Sequence, residues 1–108
     1  MSDAHNLLNI SYAKPVTLKR AFAIYPTLAE IASKGQSDAI ALKIDIEKML
    51  QDDVIISSSK AQAIKKYYLQ GYTQPEIAEQ LDVSQVAVSY IINSGIKELC
   101  KYWSNLGE

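Results

Sequence analysis

The chain has 108 residues, 48% of them hydrophobic, and a formal net charge of −1. That length suits one small domain or a compact helical core with an appendage, and no apolar run approaches the roughly 18 residues of a membrane helix. A single histidine, His5, and a single cysteine, Cys100, lie at opposite ends of the sequence, which excludes an internal disulfide and a clustered metal site and points to no catalytic residues and no cofactor.

With few prolines and glycines and abundant Ala, Leu, Ile, Lys, Gln and Glu, the composition predicts an all-α fold. Met1-Ser2-Asp3-Ala4-His5 lacks a charged stretch followed by an apolar run, so no secretion signal and a cytoplasmic location are expected. Residues 1–15 have weak periodicity and read as a mobile lead-in, with Asn6-Leu7-Leu8-Asn9-Ile10 as an alternative docking segment. A helix is expected over 17–25, capped by Thr17 and interrupted by Pro26, then a second over 27–33 capped by Thr27. Ser37 or Asp38 caps a longer helix to about Gln51, whose apolar residues are Ile40, Leu42, Ile44, Ile46, Met49 and Leu50. Residues 40–46 also alternate, which leaves a strand as a lesser alternative. Val54-Ile55-Ile56 reads as an extended connector packed on the core. The serines Ser57, Ser58 and Ser59 cap a helix over 60–70 that buries Ala63, Ile64, Tyr67 and Tyr68, and Gly71 supplies the left-handed residue that stops it.

The stretch from Gly71 to Ile91 writes two helices and the tight turn between them. Thr73 and Glu76 have the spacing of a capping box, and Pro75 falls in the first turn, where its missing N–H costs little. Ile77 and Leu81 form the buried stripe, and Ala78 sits where the helices approach closely. Asp82 takes the left-handed turn position, Val83 plugs the gap between the helices, and Ser84 caps the next helix. Val88, Ile91 and Ile92 face inward, and the helix runs across Gly95 to about Ser104, with Ile96, Leu99 and Trp103 continuing one face. Two short helices joined this way make a helix-turn-helix, whose second helix can enter the major groove.

The run Lys60-Ala61-Gln62-Ala63-Ile64-Lys65-Lys66-Tyr67-Tyr68-Leu69-Gln70-Gly71-Tyr72-Thr73-Gln74-Pro75-Glu76-Ile77-Ala78-Glu79-Gln80-Leu81 resembles the DNA-binding fourth region of bacterial sigma factors. Val83-Ser84-Gln85-Val86-Ala87-Val88-Ser89 and Ile96-Lys97-Glu98-Leu99 keep that pattern. The chain is also similar to small sigma-like regulators of phages and prophages, in which an Asp-Ile-Glu-like helix precedes the motif, as Asp45-Ile46-Glu47 does here. The resemblance covers about residues 58–103 and implies a trihelical DNA-binding unit.

In that geometry Ser84, Gln85, Val86, Ser89, Tyr90 and Asn93 lie on the outer face of the recognition helix. A Gln85 amide suits bidentate pairing with adenine, and Val86 suits a thymine methyl. Ser89 reads a base edge or a phosphate, while Tyr90 and Asn93 reach the backbone. Thr73 and Gln74 stand at a helix N-terminus, where amides favour phosphate. Lys65, Lys66 and Lys97 are phosphate contacts that set register.

The expected organisation is an N-terminal helical module over 1–56, for self-association or partner binding, and a helix-turn-helix domain over 57–108. The expected function is sequence-specific binding to double-stranded DNA to regulate transcription. A homodimer is expected, because one near-neutral reading head contacts too few phosphates for tight binding. Its candidate surfaces are the apolar N-terminal helices and the Ile92-Ile96-Leu99-Trp103 face. The alternatives are a DNA-recognition subunit of a viral packaging motor, which would form rings, and an adaptor docking on RNA polymerase.

Overall fold

The computed structural model describes residues 11–106; His5 and the expected docking segment Asn6 to Ile10 lie outside them. The helices are α1 (Pro15–Ala23), α2 (Tyr25–Ser33), α3 (Ser37–Gln51), α4 (Ser58–Ile64), α5 (Gln74–Leu81) and α6 (Gln85–Asn105), with a π-helical stretch Lys65–Leu69 after α4. The fold is all-α, and no strand occurs among the described residues, so the alternation at 40–46 is not a strand.

The prolines open helices rather than close them. Pro15 is in the first turn of α1, after an extended Lys14, and Thr17 is not its cap. Pro26 lies in the first turn of α2, where no donor is required. Only Ile24 separates the two helices, and it serves both: its N–H donates to the Arg20 carbonyl at 3.0 Å and its carbonyl accepts from Leu28 N–H at 2.9 Å. The expected break at Pro26 is therefore a one-residue joint at Ile24. Neither Thr27 nor Ser37 caps by its side chain; Ile24 and Gln36 occupy the cap positions of α2 and α3.

α3 buries Ala39, Leu42, Ile46, Met49 and Leu50, a 3–4 spacing that leaves Ile40 and Ile44 outside it. Those two isoleucines remain 37% and 42% exposed. The α3–α4 connection is a turn, not an extended segment. The Asp52 carboxylate accepts the Val54 N–H at 2.9 Å, and its carbonyl accepts the N–H groups of Ile55 and Ile56. Val54 is thrown out to solvent while Ile56 is buried.

α6 is the central rod. It packs against α1, α4 and α5, and α2 packs on α3. A single apolar cluster joins both halves of the chain, from Leu18 and Phe22 through Ile46 and Ile64 to Ile77, Val88, Ile96 and Leu99. The lead-in before α1 belongs to it at Tyr12, which is fully buried with its ring edge-on to Trp103 at 5.1 Å. The expectation of a mobile arm as far as residue 15 therefore fails at Tyr12. Ile92, Ile96, Leu99 and Trp103 are all buried within the fold, so that face cannot be the dimer surface expected from the sequence.

Candidate nucleic-acid interface

The helix-turn-helix begins where α4 ends. Gly71 takes φ +80°, which a side chain would resist, and directs the chain out of the π-helical stretch. The Thr73 hydroxyl accepts the Glu76 N–H at 3.3 Å and the Glu76 carboxylate accepts the Thr73 N–H at 2.9 Å, completing the capping box of α5. α5 ends at Asp82, whose φ of 56° and ψ of 47° are left-handed. Asp tolerates that region better than most residues. Ser84 then caps α6 by accepting the Ala87 N–H at 3.1 Å.

Burial of Ile77, Ala78, Val88 and Ile92 fixes α5 against α6. Val83 is not the expected plug, since it is 39% exposed. Ala78, with its short side chain, is buried where α5 meets α6. What remains outside is a face of α6. Gln85, Val86, Tyr90, Asn93, Lys97 and Lys101 are exposed and Ser89 is half-buried. Val86 and Tyr90 stand 80% and 72% exposed, unusual values for an apolar and an aromatic side chain in a folded helix. Thr73 is exposed and Gln74 half-buried at the start of α5.

The three lysines expected to bind phosphate fall in different places. Lys97 is exposed on the same side of α6, about 18 Å along the helix from Gln85. Lys66 already has partners: its ammonium donates to the Gln80 amide oxygen at 2.8 Å and sits 5.6 Å from the Tyr72 ring centre. It ties the π-helical stretch to α5 and Tyr72. Lys65 lines a shallow depression with Leu50, Gln51, Asp53, Ser58, Ala61 and Gln62, on the flank of α4 that meets the end of α3. Sequence spacing missed this split, because a π-helical stretch rotates successive residues differently from an α-helix.

Two residues that sequence reasoning passed over shape the interface. Gly95 lies against α4, where its missing side chain permits a close crossing. Lys60 of α4 pairs with Glu98 of α6, which removes one anion from α6's balance. Lys97 and Lys101 are then set against Glu76, Glu79 and Asp82, all exposed on α5 and the turn. Such a balance gives modest nonspecific affinity.

The capping box also sets a pH response. The Thr73 backbone N–H, and then its hydroxyl, hold the Glu76 carboxyl below the ordinary glutamate range. In α3, the Lys43 ammonium, and then the Tyr25 hydroxyl, lower Glu47 in the same way. A carboxyl whose pKa is lower in the folded chain stabilises it fully above the unfolded value and loses that contribution as pH falls through the folded value. The thermal midpoint is therefore expected to decline below about pH 4.3, the unperturbed glutamate value. Glu76→Gln keeps the capping geometry and should shrink that decline, as read by circular dichroism across a pH series.

Among the described residues no three His, Cys, Asp or Glu side chains group to hold a metal, and no helix is long and apolar enough to cross a membrane. Residues 57–101 match the family model described as Sigma-70, region 4. No curated protein and no solved structure matches the chain.

Proposed function

We propose that this chain, whose residues 57–101 form a sigma region 4-like helix-turn-helix, is a sequence-specific double-stranded DNA-binding protein that regulates transcription in the cytoplasm. One observation carries the reading: the fold seats α6 by its apolar side and leaves Gln85, Val86, Tyr90 and Asn93 exposed beyond a capped N-terminus. A helix placed this way can enter the major groove by its first turns. Ser84, Gln85, Val86 and Ser89 face the bases or their flanks, Tyr90 and Asn93 reach the DNA backbone, and Thr73, Gln74 and Lys97 meet phosphate. Lys65 and Lys66 move to the margin of that assignment, because Lys65 lines the α3–α4 flank and Lys66 is engaged with Gln80.

The test is selection of bound sequences from random duplex DNA at two salt concentrations. Enrichment of a defined site supports the reading. Binding without enrichment, or none at low salt, overturns it. The near-neutral charge favours one second reading, docking on RNA polymerase, which a polymerase pull-down lacking DNA would detect.

The proposed working unit is a homodimer built on the N-terminal helices, where Ile40 and Ile44 stay exposed beside Ala29 and Ala32. Light scattering is expected to show twice the chain mass at micromolar concentration, and Ile40→Lys with Ile44→Lys to halve it without loss of helicity. A monomer at high micromolar concentration contradicts the dimer, and a larger ring favours a packaging-motor subunit.

A further inference from the structure

The outer face of α6 has a feature that hydrogen-bonding readout does not require. Val86 and Tyr90 are 80% and 72% exposed, and they stand four residues apart, so their side chains are neighbours on one helix surface. Asn93, Lys97 and Lys101 continue the same stripe at helical spacing, and all are exposed. From Gln85 to Asn93 the face has no charged side chain. Two lysines follow it, and Glu98 is turned to Lys60 of α4. Uncharged apolar surface near the positive end of a helix, with cations farther along, complements a polyanion whose groove floor carries apolar groups. In duplex DNA those groups are the C5 methyls of thymine.

We infer that Val86 and Tyr90 form an apolar ledge that selects thymine by its methyl group, which makes both residues specificity-determining and moves Tyr90 from the DNA backbone to the bases. This rests on the proposed DNA-binding function and names the chemistry that its binding site must display. Four residues advance the helix by about 6 Å, close to two base-pair steps of about 3.4 Å each. With α6 lying along the groove, the two methyls are accordingly expected within about two steps of each other, in the same half-site as the adenine read by Gln85.

The test uses the full chain and a duplex from the selection, resynthesised with each thymine in turn replaced by deoxyuridine, which deletes only the methyl. Affinity is read by fluorescence anisotropy. One or two substitutions are expected to weaken binding about fourfold each, the effect of one buried methyl-sized group. Val86→Ala is expected to abolish the sensitivity at one of these positions and Tyr90→Ser at the other, with thermal midpoints unchanged because both side chains are exposed. Equal affinity for all uracil-substituted duplexes, in a chain that still selects its site, overturns the ledge and leaves the DNA-binding function standing. Failure to select any site overturns both. If the two variants change oligomeric mass or polymerase docking while uracil sensitivity is unaltered, the ledge is a protein contact and the inference is wrong.

Discussion

Gly95→Leu is expected to cost about 3 kcal/mol of folding stability, the upper end for overpacking a close-packed core. A Cβ at Gly95 would lie 2.8 Å from the Ile64 Cδ1, 3.2 Å from the Ile56 Cδ1 and 3.2 Å from the Lys60 Cβ. The isoleucine tips are flexible ends, but both residues are enclosed, at 0% and 1% exposure, so they have little space to move into. The Lys60 Cβ is close to the backbone of α4 and moves only with it. A leucine would therefore push α4 away from α6. Against a total of about 5–15 kcal/mol for a typical domain, that loss should be plain in urea unfolding. Gly95→Ala provides the calibration. It gains about 1 kcal/mol of helix propensity and meets the same contacts with one carbon, so its net change is expected within about 1 kcal/mol of zero. A leucine variant as stable as the parent would show that α4 and α6 are not in close contact at Gly95.

The second large effect falls on binding and spares the fold. The double variant Gln85→Ala, Asn93→Ala is expected to weaken binding to a selected site by about 2–3 kcal/mol, or roughly thirtyfold or more, with a bidentate amide contact alone carrying about 1–3 kcal/mol. Affinity for unrelated duplex should fall much less, by the one neutral backbone contact of Asn93, because neither side chain is charged and the lysine–phosphate term is retained. Both residues are exposed, so the thermal midpoint should match the parent. Lys97→Ala offers the complementary result: weaker binding to all duplexes alike and a salt slope reduced by about one. Unchanged affinity and discrimination in the double variant would remove Gln85 and Asn93 from the DNA-contacting face.

The parts of the fold that local chemistry decides were legible in the sequence. Thr73 and Glu76 form their capping box, Asp82 takes the left-handed turn and Ser84 caps α6, because each satisfies groups within a few residues of itself. The outward side of α6 followed from the same positions. What long-range packing decides was not legible. On α3 the sequence offers Ile40 and Ile44 as core residues, yet the buried stripe runs through Ala39 instead. Which side of α3 is covered is set by the elements packed on it, and hydrophobicity alone ranks isoleucine above alanine. The role of Gly95 was not legible because its reason sits on α4, some thirty residues away in sequence. Val83 is apolar but 39% exposed, while Ala78 is buried. The split of Lys65 from Lys66 depended on a π-helical stretch that has no simple sequence signature. The role of Tyr12 against Trp103 was hidden in a lead-in with no periodicity.

The most direct measurement is amide chemical-shift mapping by NMR on the full chain as a selected duplex is added. A reading face on α6 predicts the largest changes at Gln85, Val86, Ser89, Tyr90 and Asn93, with smaller ones at Thr73, Gln74 and Lys97. Changes confined to α2 and α3, with the first turns of α6 unmoved, would contradict it.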